Sequence, residues 1–369
     1  MGFASAGIAP AEPTGRRAEI LAWLDAGKHG NMSYMREMLD ERLDVRRLLP
    51  GARSLIMVAD RYAAPGGGNE ACGQDVTSEE SAVPAPEPSG LIARYARGRD
   101  YHSVIRRRLH DLSDRLSRMN PGARMRTFVD TGPVLEREHA ARAEMGGAFV
   151  GKHTLLIHPR LGSYLLLGGI ATTLKLAPGG TTGNAAQAPG SDHCGSCTRC
   201  IDACPTRAIT PHSVDARRCV SYLTLEHRGI VDESLHAGIG LHVIGCDICQ
   251  EVCPFNQPHG GGDAERGSVN PVYSDHDRPG SRLPLLEVLG WSEADRSARL
   301  SGSAAKRASL EMLRRSAVIA SGNAVRQHRN SALESRVIAI AEDETEQSVV
   351  RETARQVVEA WSRDGVLGP

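Results

Sequence analysis

Cysteine is the residue type with the most chemistry in this chain. The 369-residue sequence holds nine, and eight of them lie between Cys194 and Cys253. The first four run Cys194-x2-Cys197-x2-Cys200-x3-Cys204-Pro205. This is the spacing of bacterial two-cluster ferredoxins, in which the fourth cysteine ligates the other cluster. A second group, Cys246-x2-Cys249-x3-Cys253-Pro254, begins 42 residues after Cys204. It is one ligand short of a symmetric pair, and Cys219 between the groups supplies it. Two [4Fe–4S] cubanes need eight thiolates, and eight are present. The crossover rule assigns Cys194, Cys197, Cys200 and Cys253 to one cubane, and Cys204, Cys219, Cys246 and Cys249 to the other. Zinc knuckles are the competing use of Cys-x2-Cys spacing. Three cysteines in Cys-x2-Cys-x2-Cys, and a proline after each group, fit a ferredoxin turn better. An odd total of nine, with eight crowded into 60 residues, reads as ligation in a reducing compartment rather than a disulfide framework. Cys72 stands apart and is expected to be a noncoordinating surface thiol in a loop.

Two neighbouring clusters carry single electrons but transform no substrate. The long segments before and after them therefore need another role. The N-terminal segment reads as mixed α/β. Arg16 to Met38 has helical spacing interrupted by Gly27 and Gly30. Ser54 to Ala59 is a short apolar run after Pro50-Gly51, a buried strand. Tyr101 to Met119 repeats apolar residues at helical spacing and stops at Asn120-Pro121-Gly122. Arg126 to Asp130 is a strand ending in an acid, and 154–157 and 164–167 are further strand candidates. Residues 64–90 have loop composition and 177–192 linker composition. From about 285 the chain is helical, with amphipathic patterns over Ala304–Ala320, Leu333–Ala341 and Val349–Trp361. Short stacked helices suggest a HEAT-like repeat, and a plain bundle fits nearly as well. The expected fold is α+β and multidomain. It comprises an N-terminal α/β domain (1–178), a bacterial ferredoxin-like two-cluster domain (179–262) and a C-terminal α-helical, HEAT-like domain (280–369).

No apolar run reaches the roughly 18–20 residues that span a bilayer. The start, Met1-Gly2-Phe3-Ala4-Ser5, has neither a basic n-region nor a long apolar stretch. A cytoplasmic protein without membrane contact is expected. Forty-four basic and 44 acidic residues cancel, which lends no support to nonspecific polyanion binding but leaves room for local patches. One such run is Lys306, Arg307, Arg314, Arg315, Arg326 and Arg329, against the single acid Glu311. Another is Arg99, Arg106, Arg107 and Arg108. A charge run is usually a solvated face.

Beyond the cysteines, the chain carries His29-Gly30-Asn31-Met32-Ser33-Tyr34-Met35, then Arg47-Leu48-Leu49-Pro50-Gly51-Ala52-Arg53-Ser54, then Ala93-Arg94-Tyr95-Ala96-Arg97-Gly98-Arg99-Asp100-Tyr101-His102. Val129-Asp130-Thr131-Gly132-Pro133-Val134-Leu135-Glu136-Arg137 is the most telling run. Gly151-Lys152-His153-Thr154, Arg218-Cys219-Val220-Ser221-Tyr222 and Gly245-Cys246-Asp247-Ile248-Cys249-Gln250 follow. In their order and spacing, over nearly the whole chain, these runs resemble the epoxyqueuosine reductases, cobalamin-dependent iron–sulfur enzymes of queuosine-tRNA biosynthesis.

The resemblance implies that the N-terminal and cluster domains together hold a cobalamin with its lower base displaced. A low-potential donor of the flavodoxin or ferredoxin type would reduce the clusters, and these the cobalt. The reduced corrin would remove the epoxide oxygen from epoxyqueuosine at the wobble position of a tRNA anticodon. The helical domain would grip the anticodon stem-loop, with Lys306, Arg307, Arg314, Arg315, Arg326 and Arg329 as the tRNA-binding patch. A monomer is expected. The family's proton donor falls on Asp130. A carboxyl at a strand end beside a corrin face would have its pKa raised by desolvation and could serve as general acid; on residues alone it could equally cap the turn at Thr131-Gly132-Pro133. Cofactor contacts are expected from Tyr101 and His102, from Lys152, His153 and Thr154, and from Ser221 and Asp247 beside the cluster ligands. Glu136 and Arg137 read equally well as a structural ion pair. Three positions depart from the family pattern. Ala148-Phe149 replaces Gly-Trp. Gly168-Gly169 replaces Gly-Glu, removing an acid whose role would have to move. Gly2 to Gly7 stands where a helix usually precedes. The alternatives are a corrinoid reductase of the reductive dehalogenase type, a ferredoxin-like electron-transfer protein, and an RNA-binding scaffold with structural clusters.

Overall fold

A computed structural model describes residues 1–64, 87–180, 193–257, 269–273 and 280–366. Cys72 and most of the loop and linker segments expected over 64–90 and 177–192 lie outside the described residues. By packing, the chain divides into two compact units. One joins Met1–Pro65, Arg99–Arg217 and Cys249–Ser274; the other joins Gly66–Gly98, Arg218–Ile248 and Asp275–Pro369. The units interleave along the chain, so packing does not follow the consecutive segments suggested by composition.

The first unit is built on a five-stranded sheet, antiparallel throughout. Its order is Met125–Val129, Leu165–Thr172, Ser54–Arg61, Ser5–Pro10, Gly179–Gly180. The apolar run after Pro50-Gly51 forms its centre. The strand ending in an acid lies at an edge and closes at Val129, so that Asp130 opens the following turn. Helix Tyr101–Met119 lies over this end of the sheet and buries Tyr101, Ile105 and Leu109, one face at four-residue spacing. Gly168 permits the approach: a Cβ there would come within 2.7 Å of Ile105 Cγ2. Asp100 caps the helix, accepting from the His102 backbone N–H at 3.1 Å, as short polar side chains do at N-termini.

The structure modifies several expectations in this unit. The helix read over 16–38 ends after Arg17–Asp25, because Gly27 and Gly30 adopt left-handed φ values of 65° and 58°. The strand read over 154–157 contracts to Leu156–Ile157, which pairs with Phe149–Val150 in a short hairpin. At Gly169 a Cβ would lie 2.6 Å from Phe128 Cζ and 2.8 Å from the Ile56 carbonyl oxygen. The position is a close packing contact inside the sheet layer, with no room for a side chain unless Phe128 or the strand shifts. Strand Ser5–Pro10 had no clear sequence signal. It runs so close to helix Glu136–Arg142 that a Cβ on Gly7 would lie 2.2 Å from the Ala143 carbonyl oxygen.

The second unit pairs strand Ser89–Ile92 with His242–Ile244, parallel, and with Arg282–Pro284, antiparallel. Three helices, Leu310–Gln327, Ser331–Glu342 and Ser348–Arg363, supply most of its core. Ser309 and Asn330 cap the first two, so the helical pattern read from Ala304 begins instead as a 3-10 turn, Ala304–Arg307. Trp361 is fully buried and donates from Nε1 to the Gly322 carbonyl at 3.1 Å. No helix among the described residues is long and apolar enough to cross a membrane.

Since the obstacle at Gly7 is backbone, Gly7→Ala should destabilise the first unit by about 1–3 kcal/mol, the usual cost of overpacking. Gly15→Ala, which meets no atom within 4 Å, should leave stability nearly unchanged. Denaturant unfolding of the two variants checks the contrast.

Candidate active site and cluster ligands

Asp130 stands where the first helical turn meets the end of the edge strand. Its Oδ1 lies 3.0 Å from His102 Nε2, and its Oδ2 accepts from the Tyr101 hydroxyl. The opposite nitrogen, His102 Nδ1, lies 2.6 Å from Asp100 Oδ1. The Tyr101 and His102 rings stack with centroids 4.0 Å apart. An imidazole between two carboxylates donates at both nitrogens only when it is protonated. Burial disfavours that charge, but Asp100 and Asp130 outweigh it and raise His102 to about 9. Asp130 is then the opposite of what desolvation alone predicts. Burial would raise its pKa, yet the hydrogen bond and charge of His102, with the Tyr101 hydroxyl, hold it below the ordinary carboxylate range. Its side chain is still 40% exposed, so a substrate can reach it. The four side chains thus store a proton on the imidazolium, adjacent to an accessible carboxylate. Asp100, missed as a site residue, carried one signal: a capping acid one turn ahead of the helical apolar spacing. Glu136, nearby, is raised by burial despite Arg137, which lies 3.6 Å away, and Asp130 adds to the rise.

The Gly151–Leu155 turn presents the next group. Gly151 N–H donates to the Leu155 carbonyl at 3.0 Å and Thr154 N–H to the Gly151 carbonyl at 2.9 Å, with Thr154 at φ 68°. Arg137 donates to the Thr154 carbonyl at 2.7 Å. His153 is buried and neutral, lowered by burial to about 4. Its Nδ1 accepts from Leu155 N–H at 3.1 Å. The proton is therefore on Nε2, which has no hydrogen-bond partner among the described residues. An orphaned, uncharged, buried donor fits an amide-rimmed ligand such as a corrin. Lys152 points elsewhere than expected: its Nζ donates to the carbonyls of Gly195 and Cys197, at 2.5 and 3.1 Å.

Those carbonyls belong to the first cysteine turn. Cys253 is pushed up to about 11, chiefly by burial and further by nearby Cys194, Cys200 and Cys197. Cys194 packs against the apolar cluster that contains Cys253, so the first and last cysteines expected to share one cubane lie close together, as such a cluster requires. Phe149, in place of the family's Trp, packs edge-on to Phe255 at 5.4 Å and joins Ile157 and Cys253 in an apolar cover. Cys204 Sγ accepts from Ala208 N–H at 3.3 Å. Cys249 lies in the turn Ile248–Glu251. In the second unit, Cys219 stands at the start of helix Val220–Leu225, and Cys246 follows Gly245, whose N–H donates to Thr224 Oγ1 at 2.9 Å. Asp247 is buried and accepts from the Arg94 backbone N–H at 2.6 Å. The Ser221 carbonyl accepts from Thr224 Oγ1 at 3.2 Å.

The basic run is not the open cationic face its sequence suggests. Arg315 is 1% exposed and donates to the carbonyls of His227, Gly229 and Leu223, so it ties down a loop rather than meeting a phosphate. Arg314 donates to Glu346 at 2.8 Å and is largely covered. Arg307 pairs with Glu226, Arg326 with Asp364 and Arg329 with Glu334. Lys306 is exposed. Glu334 lies five positions after Arg329, but Glu226, Glu346 and Asp364 lie 32 or more positions from their arginines, which a local charge count cannot register.

Residues 193–256 match the family model of a 4Fe-4S double cluster binding domain, and residues 42–131 match that of Epoxyqueuosine reductase QueG, DUF1730. The epoxyqueuosine reductase of Burkholderia pseudomallei is 39% identical over 88% of this chain and 79% of its own length. That of Gloeobacter violaceus is 39% identical over 89% of this chain and 95% of its own length. A crystal structure of an epoxyqueuosine reductase with a tRNA-Tyr epoxyqueuosine-modified stem loop aligns at TM-score 0.75 and 26% identity, over 98% of this chain and 89% of that one.

His102 held above its ordinary 6.5 adds stability that is complete below pH 6.5 and is lost as pH rises through about 9. NMR of the histidine rings should therefore show one imidazolium titrating near 9, absent in His102→Gln. Asp100→Asn keeps a capping side chain but should move that titration downward.

Proposed function

This chain belongs to the epoxyqueuosine reductase family, and from that premise we propose that it reduces epoxyqueuosine to queuosine at the wobble position of tRNA. The observation that carries the reading is Asp130, accessible and held between Tyr101 and the His102 imidazolium. Removing an epoxide oxygen as water consumes two electrons and two protons and leaves an alkene. The clusters, when bound, supply the electrons one at a time, and the cobalamin supplies the low-valent cobalt that opens the epoxide. The protein's own part is the proton. Asp130 passes to the leaving oxygen the first proton, which His102 stores, solvent supplies the second as the oxygen departs as water, and Asp100 holds the imidazole ring in line for the transfer. The Tyr101 hydroxyl fixes the second carboxylate oxygen, so that the acid meets the oxygen in one orientation.

In this reading residues 1–178 bind the cobalamin, with Tyr101, His102, His153 and Thr154 toward it and Ser221 and Asp247 contributing from the cluster ligands' neighbourhood. Residues 179–262 form the ferredoxin-type domain. Cys194, Cys197, Cys200 and Cys253 hold one cubane, and Cys204, Cys219, Cys246 and Cys249 hold the other. Residues 280–369 form a HEAT-like domain for the anticodon stem-loop. Lys306, Arg307, Arg326 and Arg329 are its phosphate contacts, three of them exchanging a carboxylate partner for phosphate on binding. A wobble base must leave its stack to be reduced. The electron donor is a flavodoxin or ferredoxin, and the enzyme acts as a cytoplasmic monomer.

Anaerobic reconstitution with iron, sulfide and cobalamin, followed by nucleoside analysis of epoxyqueuosine-tRNA, tests the proposal. The native chain should yield queuosine. Asp130→Asn should keep its iron and cobalamin spectra while product formation falls by roughly 100-fold or more, the usual weight of a general acid. Normal turnover by that variant would remove Asp130 from the role, and a native chain that binds both cofactors without turnover would defeat the activity itself.

A further inference from the structure

Lys152 is a buried cation without an anion. Its side chain is almost enclosed, with the residue 9% exposed. Among the described residues it forms no salt bridge, and its two acceptors are the neutral carbonyls of Gly195 and Cys197. Burying an ammonium costs several kcal/mol unless a counter-charge lies close, and carbonyl dipoles meet only part of that demand. The arrangement is also rigid. The Lys152 carbonyl accepts from His212 N–H at 3.0 Å, the hairpin behind it is closed by the Gly151–Leu155 and Thr154–Gly151 bonds, and Cys197 N–H donates to the Cys194 carbonyl at 2.9 Å. The ammonium is thus pinned to the turn that carries Cys194 and Cys197, beside the apolar cover of Phe149, Ile157 and Cys253.

We infer that Lys152 is the electrostatic partner of the cubane held by Cys194, Cys197, Cys200 and Cys253, and that it favours the reduced state of that cluster over the oxidised one. The inference rests on the ligand assignment proposed above. A cubane with four thiolates is anionic. One electron from the low-potential donor makes it one charge more negative, with no bond made or broken. A fixed positive charge in a site of low dielectric stabilises the more negative state more strongly. Solvent exposure and hydrogen bonds tune such clusters over a wide range, and Lys152 adds charge to that set. Its effect is to raise the potential of that cluster, so that the low-potential donor reduces it more completely.

The test is a redox titration, followed by electron paramagnetic resonance, of the anaerobically reconstituted chain and of Lys152→Gln and Lys152→Arg. Of the two one-electron steps, one should move to lower potential in Lys152→Gln, by about tenfold in the reduced-to-oxidised ratio, or about 59 mV for one electron. Lys152→Arg should titrate like the native chain, and the other step should stay in place. Unmoved steps in an iron-replete Lys152→Gln overturn the inference while leaving the clusters assigned. Loss of iron in Lys152→Gln but not in Lys152→Arg makes Lys152 a strut of the turn and overturns it as well. Zinc in place of iron in the native chain defeats the ligand assignment and the inference together.

Discussion

One ion arrangement ties the local structure to the chemistry: the His102 imidazolium between Asp100 and Asp130. Asp100 caps the Tyr101–Met119 helix and orients the ring through the same carboxylate oxygen. The start of the helix and the protonation of the site are therefore set together. The sheet must end at Val129 for Asp130 to face that turn. The helix must sit close to the sheet for Tyr101 and His102 to reach it, which Gly168 allows. A substitution that lifts the helix from the sheet would disturb the proton store before it touched any reacting group.

Much of this was legible in the sequence because it is local. The Ser54–Ala59 run, the Tyr101–Met119 periodicity and the acid at the strand end all reappear where their patterns place them, and the cysteine spacing matches a 4Fe-4S double cluster domain. What the sequence hid depends on partners far along the chain. Desolvation predicted a raised Asp130, yet His102, 28 positions earlier in the chain, reverses the sign. Six basic residues between 306 and 329 read as one patch. Glu226, Glu346, Asp364 and Glu334 neutralise four of them, and three backbone carbonyls absorb Arg315. At Gly169, Phe128 and the Ile56 carbonyl occupy the space a side chain would need, a contact that sequence alone does not register.

Residue type also proved less informative than the partner each residue finds. The Trp-to-Phe change at Phe149 keeps an aromatic face over the cysteine turn, so it alters the size of the cover and not its presence. Lys152 and His153 are adjacent and were read as one group. The turn sends the ammonium to the cysteine carbonyls and leaves the imidazole Nε2–H buried and without a partner among the described residues. Neighbours in sequence meet different surroundings here because the hairpin sends one side chain to the cysteine turn and the other to its own backbone.

The first unit holds the His102 and Lys152 cations in contrasting ways, and the contrast fits what each is proposed to do. His102 meets two carboxylates, so its charge is closed within the protein and a proton can be exchanged with Asp130 without leaving an uncompensated charge. Lys152 meets only carbonyls, so its charge remains open toward whatever the cysteine turn holds. A proton store works when the pair stays neutral as the proton moves between its members. A redox centre that accepts an electron needs a fixed cation whose field is not already spent on a nearby carboxylate. Exchanging the two environments would defeat both: a carboxylate beside Lys152 would cancel its field at the cluster turn, and carbonyls around His102 would leave the imidazole neutral and Asp130 without its proton source.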